Sequence, residues 1–148
     1  MLSRFAALAL ALAFAPLAGC ELTDPADDFR FSWPEAHAPD LNGEIHFDPA
    51  APLPVRLVVT NPLDEPATLH LDDVVLRPLD GSGEAVIAAA DRFAFEAGEG
   101  RTLVLGEVTL LPADRCVLVA SGSMVGDETE AEVALEVTSD VIVLYAGE

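Results

Sequence analysis

The sequence predicts an all-β fold, a single β-sandwich of about seven to nine strands over residues 29–148. Three observations carry that expectation. Short apolar runs rich in Val, Leu and Ala recur along the chain, separated by turn residues, at spacings typical of sandwiches. The 11 prolines and 10 glycines fall mostly between those runs. Helical periodicity is weak everywhere except Ala85–Ala97, where an alanine-rich stretch offers a helix as the competing reading. With 148 residues, 51% of them hydrophobic, the chain has one domain's worth of core and little reason to be disordered.

Phe29, Phe31 and Trp33 alternate, so a strand sets all three on one face. We read this as a first edge strand ended by Pro34, with an exposed aromatic docking strip as the rival. Strands follow at 43–47, 55–60, 67–76, 84–90, 92–97, 101–111, 115–121 and 130–145. Val55, Leu57 and Val59 mark one face of the third, and Asn61-Pro62 with Asp64-Glu65-Pro66 forms its turn. Two strands change parity. Leu69 and Leu71 give way to Val74 and Leu76 across Asp72-Asp73. Leu103 and Leu105 give way to Val108 and Leu110 across Gly106. A strand that keeps its apolar face inward must bulge or bend at such a step.

The first 20 residues read as a secretory signal. Arg4 supplies the positive start, and Phe5–Leu17 is an apolar run of 13 residues. That is short of the roughly 20 a membrane span needs. Leu17-Ala18-Gly19-Cys20 resembles the lipobox of bacterial lipoproteins. The resemblance implies cleavage before Cys20 (residues 1–19 removed), acylation of Cys20, and anchorage in membrane lipid. Glu21 in place of Asp leans toward the outer membrane, by the enterobacterial sorting pattern. Each buried CH₂ contributes about 0.8 kcal/mol, so two or three acyl chains hold firmly where one does not. Residues 20–28 then form a lipidated acidic tether, of about 15 Å root-mean-square span if flexible. An acylated Cys20 leaves Cys116 without an intrachain disulfide partner, a buried thiol in an apolar run.

"VRLVVTNPLDEPATLHL" resembles the second and third strands, with their turn, of immunoglobulin-like sandwiches in bacterial surface proteins. "FAFEAGEGRTLVL" resembles the turn into their fifth strand, and "LLPADRCVLVASG" their sixth. The antibody disulfide pair, the corner tyrosine and the core tryptophan have no counterparts here.

All seven basic residues are arginines, against 26 acidic ones. Loss of Arg4 on cleavage would raise the mature imbalance from −19 to −20. Such a balance disfavours nucleic acid and anionic headgroups and suits a basic envelope or extracellular protein, or simply solubility. The sequence offers no catalytic constellation and no phosphate loop: G-x-S-x-G is missing, and the Gly81 and Gly98 pairs read as turns. No cofactor is expected. One metal hypothesis is specific. His46-x-Asp48 and His70-x-Asp72 each set an imidazole and a carboxylate on one strand face, and pairing of the two strands would gather four ligands for a divalent ion. Each pair also reads as a polar outer face. The carboxylates of 126–132 suggest calcium more weakly, without the loop pattern of a calcium hand. The leading functional reading is a lipid-anchored, non-enzymatic binding or structural module. The alternative is a protease inhibitor presenting loops 61–66 and 122–129.

Overall fold

In the run Leu53–Thr60 every second residue is apolar and β-branched residues dominate, which suits a pleated, half-buried strand. Leu53, Val55, Leu57 and Val59 are fully buried. The computed structural model describes residues 28–145, and this strand lies at the centre of the smaller of its two sheets. In chain order the strands are β1 (Phe29–Ser32), β2 (Glu44–Phe47), β3 (Leu53–Thr60), β4 (Ala67–Pro78) and β5 (Ala85–Ala88), then β6 (Asp91–Phe95), β7 (Gly100–Val108), β8 (Arg115–Gly126), β9 (Glu132–Thr138) and β10 (Val141–Leu144). A single 3-10 turn, Glu35–His37, follows β1.

The small sheet has the order β1-β3-β7. The large one runs β2-β10-β8-β4-β5, with β6 beside β4 and β9 beside β8. First, third and seventh strands thus face the fourth, eighth and last. The two sheets are the layers of an all-β sandwich. All pairings are antiparallel except β2 with β10. One apolar core joins the inner faces: Leu57 and Leu103 of the small sheet, Leu69, Leu76, Leu118, Met124 and Ile142 of the large one. Burying each such side chain fully contributes roughly 1.5–3 kcal/mol.

Both parity changes are bulges. The β4–β8 register shifts between Leu71 and Asp73, leaving Asp72 exposed while Val74 and Leu76 turn inward. The β3–β7 register shifts between Val55 and Arg56, with Leu105 as the extra residue beside Gly106. Gly106 has φ 153, a region that favours glycine, and it lies against Ile87 of β5, where the two sheets meet at one side.

The strands expected at 84–90 and 92–97 form as β5 and β6, both paired with β4, and the competing helix does not, because cross-strand pairing prevails over alanine's helix preference. One expectation needs adjusting. The stretch 130–145 is two strands, parted at Ser139-Asp140. Ser139 Oγ accepts from the Leu118 amide (2.8 Å) and donates to the Asp140 carbonyl (2.7 Å), which turns the chain. This division brings the nine runs read from the sequence to ten strands. The aromatic run at 29–33 lies on β1, a sheet edge, and it is not a free strip. Phe29 is buried, Phe31 and Trp33 stack on each other against the core, and Trp33 Nε1 donates to Asp140 (3.0 Å). The signal-like stretch, Cys20 and most of the tether lie outside the described residues. Among those described, no helix is long and apolar enough to cross a membrane.

Candidate functional site

Three connections meet at one end of the sandwich: 61–66 between β3 and β4, 96–99 between β6 and β7, and 127–131 between β8 and β9. They carry seven carboxylates, Asp64, Glu65, Glu96, Glu99, Asp127, Glu128 and Glu130, and no basic residue. Like charges repel, so something must hold these loops together.

Two side chains do. Asn61 is buried, with 1% of its surface exposed. Its Nδ2 donates to the carbonyls of Glu65 and Glu96, both at 2.9 Å, while its Oδ1 accepts from the Leu63 amide at 3.0 Å. Its own amide donates to the Glu99 carbonyl (2.8 Å). Asn61 therefore closes its own turn and joins it to the 96–99 loop. Glu65 reaches the other way. Its carboxylate accepts from the amides of Glu128 (3.2 Å) and Thr129 (3.1 Å), and from the Thr129 hydroxyl. Gly126 makes room for it, since a Cβ there would overlap the Glu65 carboxylate. The Asp127 amide donates to the Pro66 carbonyl (2.9 Å), and Thr68 Oγ1 to Asp127 (3.1 Å). Glu130 takes the left-handed conformation at φ 58 to close the 127–131 turn.

With Glu65 committed to the neighbouring loop, the carboxylates of Asp64 and Glu128 face solvent around a shallow cavity of about 300 Å³, with exposed Glu130 in the same loop. Leu63 and Ala131 add an apolar floor. Arg101 borders the region but is occupied. It packs over the Phe95 ring at 4.3 Å, donates to the Ala94 carbonyl at 2.9 Å and lies 3.7 Å from Glu99. The arrangement is a pre-shaped anionic surface. Its charge is complementary to a cationic side chain or peptide segment.

The four metal candidates separate into two places. His46 and Asp48 belong to β2 and its exit, His70 and Asp72 to β4, and β10 and β8 lie between those strands. The pairing that would gather four ligands does not occur. His46 Nε2 bonds Asp40 instead (2.9 Å), and Asp48 caps the turn that follows it through the Ala50 amide (2.9 Å). His70 and Asp72 line a separate open cavity of about 400 Å³ with Asp91 and Arg92. Among the described residues, no group of three or more His, Cys, Asp or Glu is placed to hold a metal ion. Of the loops considered for protease inhibition, 61–66 stands as expected, but residues 122–126 belong to β8 and only 127–131 is loop. Cys116 is fully buried, and burial pushes its thiol pKa up.

Sequence reasoning saw the carboxylates of 126–132 and missed what organises them. An asparagine before a proline reads as a turn, and an exposed glutamate reads as solvation. Neither residue names a partner 35 or 64 positions away. No protein-family model matches the chain, and neither a curated protein nor a solved structure matches it.

Proposed function

We propose that this chain is a lipid-anchored protein of a bacterial envelope, with the outer membrane as the favoured site, whose sandwich works by binding through its acidic loop end rather than by catalysis. The observation that carries the reading is the double lock on that end: Asn61 and Glu65 hold three repelling loops in one shape. A surface fixed before binding loses less entropy when a partner arrives. Its charge selects a basic partner and speeds the encounter. The lipobox-like Leu17–Cys20 supplies the anchor in this reading.

Site-specific photocrosslinking in envelope preparations tests it. A crosslinker at Asp64 or Glu128 is expected to give a discrete adduct that weakens as salt rises. Replacing Glu65 with Ala, which frees the loops, should remove the adduct. Equal labelling from a position on the opposite end, such as Ser82, would sink the binding reading. Intact mass of the membrane-fraction protein tests the anchor separately: a chain beginning at Cys20 with added acyl mass supports it, and an unmodified Cys20 ends it.

A second reading has one observation in its favour. Loops 61–66 and 127–131 lie side by side and are bridged by Glu65, as an inhibitor that inserts two rigid loops into a protease would need. A protease panel without inhibition at micromolar concentrations removes it.

A further inference from the structure

The acidic balance of the chain is not spread evenly over the fold. The strands of the small sheet, β1, β3 and β7, carry three of the seven arginines, Arg30, Arg56 and Arg101, and one of the 26 acidic residues, Glu107. Arg101 is taken up with Glu99 and Phe95. Strand alternation puts Arg30, Arg56, Val58, Thr102, Val104 and Glu107 on the outer face of this sheet, since Leu57, Val59 and Leu103 turn inward. Among the described residues, neither Arg30 nor Arg56 has an ion pair, whereas Arg77 and Arg115 are each paired with a glutamate. Val104 is 71% exposed beside them. The whole-chain charge predicts repulsion from anionic lipid, and this one face departs from it. At physiological salt the Debye length is about 8 Å, so charges on the far sheet, roughly 10 Å away, are largely screened from what this face meets.

The face also begins where the chain leaves its anchor. Phe29 and Arg30 open β1, the edge strand of the small sheet, ten residues at most from Cys20. We propose that the outer face of β1-β3-β7 rests on the anionic phosphate headgroups of the bilayer that holds Cys20, so that the domain lies flat. This deepens, and rests on, the anchoring reading above. The acidic loop end then points sideways, open to partners. On the anchoring reading, the carboxylates between Cys20 and the domain start from the bilayer whichever face is down, and so do not choose between faces. Two arginines against Glu107 leave about one net positive charge on the face, which near an anionic surface favours this orientation by a factor on the order of five.

The test uses the full chain on vesicles of phosphatidylcholine, with or without phosphatidylglycerol. A fluorescent amino acid replaces Thr102 on the face or Ser82 away from it, and acrylamide quenching reports exposure. The expected result is several-fold protection at position 102 on phosphatidylglycerol vesicles only, lost at high salt and in the Arg30→Glu, Arg56→Glu double variant, with position 82 unprotected throughout. Equal quenching at both positions overturns the proposal. So does protection on phosphatidylcholine that grows with protein density, which assigns the face to a second copy. Intact mass tells whether Cys20 is acylated. If it is not, the anchoring reading falls, and Cys20 is coupled to a maleimide-headgroup lipid so that the same comparison still decides which face meets the bilayer.

Discussion

Glu65 and Thr129 stand 64 residues apart in sequence and meet at the end of the sandwich, where the carboxylate of one accepts from both the amide (3.1 Å) and the hydroxyl of the other. A turn residue of β3–β4 thereby shapes the β8–β9 connection. Hydrogen bonds to a charged group contribute about 1.5–3 kcal/mol, and less at this exposed position. Glu65→Ala is expected to cost about 1–2 kcal/mol in denaturant midpoint and to speed amide exchange at Glu128 and Thr129. Gly126→Ala should do much the same, because the new methyl group displaces the same carboxylate. The two losses should not add, which a double-mutant cycle checks.

Gly122 sits opposite Leu71, one step from the β4 bulge. A Cβ there would overlap the carbonyl oxygen of His70, which is backbone inside a paired strand and has no room to move. The neighbouring Ser121 hydroxyl bonds Asp73 (2.9 Å) and holds the other side of the bulge. Overpacking costs typically 1–3 kcal/mol, and more where backbone must shift. Gly122→Ala is expected to lower stability by about 3 kcal/mol or more. Gly83→Ala is the control. Nothing lies within 4 Å of its Cβ position, so a change beyond about 0.5 kcal/mol there would count against the packing argument.

Those two glycines separate what the sequence could tell from what it could not. The bulge itself was readable, because Leu69 and Leu71 occupy odd positions while Val74 and Leu76 occupy even ones. The shift at Gly106 was readable for the same reason. The break at Ser139-Asp140 was not. The inward residue passes from Leu135 to Ile142, but Val141 and Val143 flank Ile142 with equal apolarity and hide the change of parity. Nor does parity say which strands become neighbours. His46 and His70 each had an Asp two residues on, yet β10 and β8 come between them. The candidate site shows the same limit. Its charge is local and visible, while the lock at Asn61 and Glu65 consists of contacts between distant loops.

Asn61 is the more costly half of that lock. Removing its side chain leaves the Glu65 carbonyl without this donor and the Leu63 amide without its acceptor, while the Glu96 carbonyl keeps the Glu99 amide (3.1 Å). Each orphaned polar group in a buried setting costs about 1–3 kcal/mol. Asn61→Ala should therefore cost about 2–4 kcal/mol, read from denaturant midpoints. Asn61→Asp keeps an acceptor for Leu63 but loses both donations and adds a charge among carboxylates, so it should be no better. A loss under about 1 kcal/mol for either variant would show that the loops hold without this residue.

Cys116 Sγ lies 3.5 Å from the Ala113 carbonyl in the core. Desolvation by burial pushes its thiol pKa up, and the carboxylate of Asp80 adds to the shift. A thiol that resists ionisation and lacks access reacts slowly. In the folded protein, Cys116 should not react with an aromatic disulfide reagent at pH 8 over hours, and should react within minutes once denatured. A Cys20 acylated as proposed would add no thiol to that count. Prompt reaction in the native state would mean that β8 opens locally at its start.

Asp40 is held below the usual carboxylate range, first by its hydrogen bond to the His46 ring (2.9 Å), then by the amides of Glu44 (3.0 Å) and Asn42 (2.8 Å). A carboxyl group whose folded pKa is depressed contributes stability above its ordinary value, here 3.8, and loses it as pH falls through the lower folded value. The 40–44 turn should therefore keep its form at pH 4 and loosen only below it. Carbon chemical shifts of the Asp40 carboxyl should titrate with a midpoint under 3.8. His46→Ala should raise that midpoint without restoring it fully, because the two amides still favour the charged form. A midpoint at or above 3.8 in the unaltered protein would mean that the turn is not closed by Asp40 in solution.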